Sequence, residues 1–250
     1  MKRIFIMVML SIVGVGPTFA ADLPPPPQGP ASYVPVMWPA VYNWGGIYVG
    51  INSGYGFGSS TWTDPLNAVG STGSFSTDGF LIGGTVGANF QWEWLVLGVE
   101  GDVDWQSLKG TSSNSFCTGV SAAAAAVAAG ASCQTQSDWL GTIRGRVGYA
   151  ADRFLFFVTG GAAFGNIQTG LNVLSTQSAT EFGWTAGVGA EWAFADNWTA
   201  KVEYLYIDLG NTTCNTGAAC GFDAAIIAND SVKITESVVR LGVNFKFMPQ

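Results

Sequence analysis

The chain contains no histidine among its 250 residues. That removes the commonest general base and the commonest metal ligand, so zinc centres and histidine-based triads are excluded. Charge is scarce too, at 11% of residues, against about 25% for an ordinary soluble domain. Such a chain is expected to keep much of its surface away from water. Positive charge is the scarcer sign, with 10 Lys and Arg against 17 Asp and Glu. Removing an export signal that carries Lys2 and Arg3 takes the formal net charge from −7 to −9, and nucleic acid is not an expected partner. After the first 20 residues no run of roughly 18 uncharged apolar residues occurs, and the alanine-rich stretch Ser121 to Ser132 is far too short for a spanning helix. Any membrane crossing must therefore be made by strands.

What is present begins with a secretory signal peptide over residues 1–20: a basic start, an apolar run from Ile4 to Val15, and small residues at Thr18 and Ala20. Cleavage after Ala20 leaves a mature chain starting Ala21-Asp22. Residues 21–43 form a proline-rich segment, with seven prolines between Pro24 and Pro39. That segment is expected to be an extended periplasmic spacer; a ligand for a proline-binding domain is the other reading of its composition. Residues 44–250 are expected to form the folded domain. They hold nearly all of the 34 glycines, 16 phenylalanines and 10 tryptophans.

Eight stretches in that domain alternate strictly between oily and polar or glycine residues, the period of a strand with one face in an apolar environment. They begin near Ile47, Phe80, Leu95, Trp139, Phe154, Phe182, Trp198 and Val239. The last reads VRLGVNFKF and sets Val239, Leu241, Val243, Phe245 and Phe247 against Arg240, Gly242, Asn244 and Lys246. No oily face of the eight carries an Asp, Glu, Lys or Arg. A charge at a bilayer midplane costs about 2–4 kcal/mol, so this is the pattern of strands whose oily faces meet lipid. Large aromatics fall at the strand ends in two groups. One contains Trp92, Tyr149, Phe154, Trp192, Trp198 and Phe247; the other contains Tyr55, Phe57, Phe80, Trp105, Trp139, Phe164, Phe182 and Tyr206. These are the expected interfacial girdles. Connections alternate between tight turns, at Glu93-Trp94, Ala150 to Arg153 and Phe194 to Asn197, and long links, at Ser59 to Thr77, Leu108 to Ser137, Asn166 to Thr180 and Gly210 to Lys233. The fold expected is all-β, an eight-stranded antiparallel up-and-down transmembrane barrel with short periplasmic turns, long extracellular loops and both termini periplasmic. A lipocalin-like soluble barrel is the alternative, with the faces reversed.

The charged residues fall on the other face. Glu100, Asp102 and Asp104 on the third stretch would look across at Arg144 and Arg146 on the fourth, with Glu191, Lys201, Glu203 and Arg240 pointing into the same space. An eight-stranded barrel leaves just enough room for side chains, so a paired network that fills the lumen is the expected arrangement. Acid–base catalysis and an ion path are the other uses of paired carboxylates. Catalysis needs a substrate cleft that a filled lumen lacks, so no enzyme is expected, and no cofactor or metal. The glycines on the inward faces, among them Gly50, Gly54, Gly83, Gly87, Gly187 and Gly189, are expected to make room for these neighbours. Cys117 and Cys133 lie in the second long link and Cys214 and Cys220 in the fourth. The exported compartment favours disulfides, pairing within each link is preferred, and pairing between the links stays open.

WGGIYVGINSGYGFG from Trp44, WTAKVEYLYIDLG from Trp198 and VVRLGVNFKF from Val238 together resemble the small surface barrels of alphaproteobacteria called outer-membrane immunogenic proteins. The likeness extends over Trp44 to Phe247, and such proteins also carry a porin-family label and resemble the OmpA-like membrane domain without its periplasmic wall-binding domain. The resemblance implies an abundant structural barrel held in outer-membrane lipid and lipopolysaccharide. It implies that Phe247, with Phe245, stands where the barrel-assembly machinery reads a terminal aromatic. It also implies a link to peptidoglycan through Ala21 and Asp22, because some such barrels are joined to the wall by a mature Ala-Asp terminus. The 17 residues from Leu23 to Pro39 would reach about 50 Å at roughly 3.1 Å each. Three functions follow as expectations: a structural envelope barrel, a small-solute channel, or a surface binder acting through its loops.

Overall fold

The computed structural model describes residues 42–63, 71–113, 132–171, 176–214 and 230–247. The signal peptide, most of the proline-rich segment, Ala21, Asp22, Cys117 and Cys220 lie outside the described residues.

Eight strands follow one another: β1 Gly46–Thr63, β2 Ser71–Trp92, β3 Leu95–Ser112, β4 Cys133–Ala151, β5 Phe154–Leu171, β6 Thr176–Ala193, β7 Trp198–Cys214 and β8 Asp230–Lys246. Each pairs antiparallel with its neighbour in sequence, and β8 returns to β1, from Tyr48 opposite Lys246 up to Thr63 opposite Ser231. The sheet is thus a closed barrel with no free edge. Two of the turns are two residues long. Their first residues, Glu93 at φ 55° and Asp152 at φ 52°, take the left-handed conformation that a tight hairpin demands. Turns 93–94, 152–153 and 194–197 share one end of the barrel, here the turn end; the other is the loop end.

The eight oily faces point outward, as expected for strands meeting lipid. Ile51, Phe80, Ile82, Val99, Ile143, Phe182 and Leu241 are all exposed. Aromatic rings meet one another near both ends of this belt. At the turn end Phe154 stacks on Trp192 with centroids 6.4 Å apart, and Trp198 meets Phe245 at 5.1 Å. Towards the loop end Tyr55 meets Phe80 at 5.1 Å and Trp139 meets Phe164 at 6.1 Å.

The strands are longer than the sequence led us to expect. They run 17 to 22 residues, where about 9–11 suffice to cross a membrane. Both ends of each stretch that read as a long link are strand: in the first, β1 continues to Thr63 and β2 begins at Ser71. Cys133 opens β4 and Cys214 closes β7, so neither lies in a loop.

In the extra length the polarity of the wall reverses. On β8 the outward residues Val239, Leu241 and Val243 give way to Ser237, Thr235 and Lys233, while the inward Arg240 and Asn244 give way to Val238, Ile234 and Val232. The upper barrel is therefore polar outside and oily inside, built around Trp62, Leu81, Leu140, Ile167, Ile207 and Val232. Register shifts occur near this boundary, at Trp105/Leu108 with Gln136/Leu140 and at Asp208/Asn211. The last is a bulge at Gly210, whose φ of 75° few other residues tolerate and whose amide donates to Asp208 Oδ1 at 2.8 Å.

Candidate functional site

Alternation places the inward charges of β3, β4, β6, β7 and β8 on one axis, and the structure joins them. Arg144 donates from Nη2 to Glu100 Oε1 at 2.6 Å and to Asp102 Oδ2 at 2.8 Å, and from Nη1 to Glu203 Oε1 at 2.7 Å. Its Nε donates to Thr142 Oγ1 at 2.8 Å. Arg240 reaches Glu203 through Nε, and Asp102 and Asp104 through Nη1, each at 2.8 Å. Lys201 Nζ lies 2.9 Å from both oxygens of Glu100. Nearer the turn end Arg146 binds Glu191 at 3.1 Å and lies against the rings of Tyr48 and Phe157, 5.3 and 4.9 Å from their centroids. All nine charged side chains are buried.

Neutral groups complete the shell. Tyr48 Oη donates to Glu100 Oε2 at 2.7 Å, while Thr199 Oγ1 and Asn244 Nδ2 donate to Glu191 Oε1 at 2.5 and 2.8 Å. The room for these groups comes from glycine. A Cβ at Gly87 would stand 2.3 Å from Tyr48 Oη, and one at Gly161 would stand 2.7 Å from the Cα of Arg144.

Oily groups close the network from both sides. Loop-ward stands the upper core already described; turn-ward stand Tyr42, Trp44, Val96, Leu155, Phe157 and Ala193. Tyr42 and Trp44 precede β1 and fold into the mouth of the barrel. Trp44 is 2% exposed; its Nε1 donates to the Asp152 carbonyl at 3.0 Å and its amide to Gln91 Oε1 at 2.5 Å. Lys246 Nζ sits 4.4 Å from the Tyr42 ring centroid and donates to the Asn43 carbonyl. Burial first, then the charge of Glu191, pushes the Tyr42 hydroxyl up to about 12, so it stays protonated.

Sequence reasoning assigned the nine charges to the lumen but gave no part in filling it to Tyr48, Tyr42, Trp44 or Glu236. Glu236 carried a usable signal, since it sits at even spacing from Arg240 and Asn244 on the same inward face. Phe245 and Phe247 lie on the outer rim at the turn end, their rings 5.5 Å apart, and the Phe247 amide donates to the Ile47 carbonyl at 3.0 Å. Cys133 is buried and disulfide-bonded. Among the described residues no group of three or more His, Cys, Asp or Glu side chains is set to hold a metal. Chemically, the arrangement fills space and fixes the barrel: its arginines pair with its carboxylates, and of these nine side chains only Asp104 Oδ1 and Arg146 Nε are left without a hydrogen-bond partner.

Comparison with known proteins agrees with the barrel. The family described as outer membrane protein beta-barrel domain matches residues 30–247. The 31 kDa outer-membrane immunogenic protein of Brucella melitensis is 34% identical over 221 residues, covering 82% of this chain and 85% of that protein. The 25 kDa outer-membrane immunogenic protein of Brucella abortus is 28% identical over 232 residues, covering 92% and 90%. The 22 kDa outer membrane protein of Rhizobium leguminosarum bv. viciae is 28% identical over 214 residues, covering 82% and 79%. These names describe outer-membrane proteins, not catalysts, and they bear out the resemblance carried by the Trp44, Trp198 and Val238 motifs. With the family matched along most of its length and eight strands closed in a ring, the chain belongs to the outer membrane protein beta-barrel family.

Proposed function

We propose that the protein is a non-conducting structural barrel of the outer membrane, with its loop end on the cell surface and both termini in the periplasm. The observation that carries this reading is the filled lumen, in which a continuous ion-pair network lies between two oily clusters. A water path would have to break buried pairs and cross both clusters, each of which excludes ions. The polar outer wall above the girdle supports the orientation, because the loop end then stands in water beyond the headgroups. Its partners are outer-membrane lipid and lipopolysaccharide around the belt, and the barrel-assembly machinery at Phe245 and Phe247. The refolded mature chain in planar bilayers should show no stable single-channel current; steady open channels would replace this reading with the small-solute channel.

The same proposal divides the chain into a signal peptide at 1–20, a periplasmic spacer at 21–43 and the barrel from 44 onward, with the spacer tethered to peptidoglycan. What supports the tether is where a pull would arrive. Tyr42 and Trp44 are fastened into the turn end by Asp152, Gln91 and Lys246, so tension on the preceding residues would be taken by the barrel body. Mass spectrometry of muramidase-digested cell walls should find the Ala21 peptide carrying a wall fragment on its α-amine. A free Ala21 amine throughout, in cells that possess the crosslinking enzymes, removes the tether and leaves the barrel held by lipid.

A further inference from the structure

At the loop-ward edge of the aromatic belt the outer wall is not smooth. A recess of about 320 Å³ opens across β7, β8, β1 and β2, and the register explains it. Tyr206, Ser237, Phe57 and Asp78 stand side by side on these four strands, all on the outward face. Ser237 is small, so the rings of Tyr206 and Phe57, on strands two spacings or about 10 Å apart, become the walls of a notch. The next outward row loop-ward, Thr235, Ser59 and Ser76, lines the notch with three hydroxyls. Its floor is the wall itself at Gly58, Thr77 and Glu236.

The polar groups are held in place before any ligand arrives. Tyr204 and Ser237 share a hydrogen bond at 3.0 Å, Ser59 and Thr235 share one at 3.1 Å, and the Tyr55 hydroxyl donates to Asp78 Oδ2. Phe57 is left open, 47% exposed, at the level where the wall turns polar. Two rings beside a row of hydroxyls and one carboxylate suit a ligand with an apolar face and a hydroxylated edge. A pyranose has both. Its C–H face meets the negative face of an aromatic ring, its hydroxyls donate and accept as those of Ser and Thr do, and a carboxylate takes them in charge-assisted bonds. Phosphate and sulfate are the wrong chemistry, because clustered Arg and Lys hold such groups. Here the outward cations nearby each stand beside a carboxylate: Lys109 is opposite Asp78 in the register, and Lys233 Nζ is 4.0 Å from Asp208. The recess also opens sideways, just loop-ward of the Tyr55 and Phe80 rings that meet at 5.1 Å, so it faces the headgroup layer of the surrounding lipid.

We propose that this recess binds one neutral sugar unit in the headgroup of a glycolipid beside the barrel, with its apolar face on Phe57 and its hydroxyls on Asp78, Ser59, Ser76 and Thr235. The proposal rests on the reading that the loop end stands at the outer leaflet, and it adds which part of the lipid is recognised and where.

The test does not depend on conductance or on orientation. The refolded mature chain is placed in phosphatidylcholine nanodiscs that hold equal small amounts of monoglucosyl diacylglycerol and phosphatidylglycerol with the same acyl chains, and native mass spectrometry reads which lipid leaves with the protein. Wild type should carry one glucosyl lipid in preference to phosphatidylglycerol. Phe57→Ala should lower that preference about three- to tenfold, the worth of one aromatic face. Ser237→Trp, which fills the notch without touching the lumen, should abolish it. Ser178→Trp, outward on β6 opposite Gln168, should leave it unchanged. No preference in wild type, an equal preference for phosphatidylglycerol, or full retention by Ser237→Trp overturns the proposal, and so does loss in Ser178→Trp. Methyl glucoside at millimolar concentration should not strip the lipid; if it does, the recess takes free saccharide and the lipid source is overturned. Each of these failures leaves the filled, non-conducting lumen as it was, while a conducting wild type would remove that reading without emptying the recess.

Discussion

Arg144→Ala should lower the unfolding free energy by about 3–5 kcal/mol, the cost of stranding a buried charge by deleting its partner. The guanidinium holds Glu100, Asp102 and Glu203 at 2.6, 2.8 and 2.7 Å, and both it and its partners are almost wholly shielded from solvent. Truncation leaves three carboxylates short of a counter-charge in a space that excludes water. Arg240 cannot take over, since it already serves Asp102, Asp104 and Glu203. Arg153→Ala provides the contrast. Its pair with Asp196 is 3.1 Å long, but the two side chains are 44% and 78% exposed, so the expected loss is about 0–1 kcal/mol. Urea titration of both variants refolded into vesicles measures the difference. An Arg144→Ala barrel as stable as wild type would mean that water solvates those carboxylates, and it would reopen the channel reading.

The part of this network that was legible in the sequence was legible because of lipid. A bilayer forbids charge on one face of a strand, so in the membrane belt every Asp, Glu, Lys and Arg is forced inward, and alternation assigns Glu100, Arg144 and Glu203 without a structure. The same rule explains what was missed. Above the girdle the outer face meets water, and Ser59, Thr61, Ser76 and Thr180 read as loop to anyone looking for an oily outer face. The alternation continues there with its sense reversed, which hid the inward Trp62, Ile207 and Val232 and cut β8 short of Glu236. The register shifts near Leu108, Leu140 and Gly210 obscured it further, because each breaks the period of two. Tyr42 and Trp44 were invisible for another reason: they belong to no strand, and only the geometry of the turn end shows that they fill it.

That reversal of polarity predicts opposite responses to one substitution at two outward positions. Ile143 is 64% exposed in the middle of the belt, opposite Gly101 on β3 and Ala162 on β5. Ile143→Lys puts an ammonium near the bilayer midplane and should cost about 2–4 kcal/mol in vesicles. Thr180 also points outward, on β6 opposite Asn166 and two residues loop-ward of Phe182 in the girdle. Thr180→Lys should change stability by no more than about 0.5 kcal/mol, as surface substitutions do. The chain already places Lys109 and Lys233 on this outer wall. Urea titration in vesicles distinguishes the two outcomes, and detergent adds a control: micelles deform around a charge more readily, so the Ile143→Lys penalty should shrink there while Thr180→Lys stays neutral. Equal penalties at both sites in vesicles would put the upper wall in lipid. The inward Trp62 and Val232 would then need another explanation, since a wall surrounded by hydrocarbon gains nothing by turning its oily residues away from it.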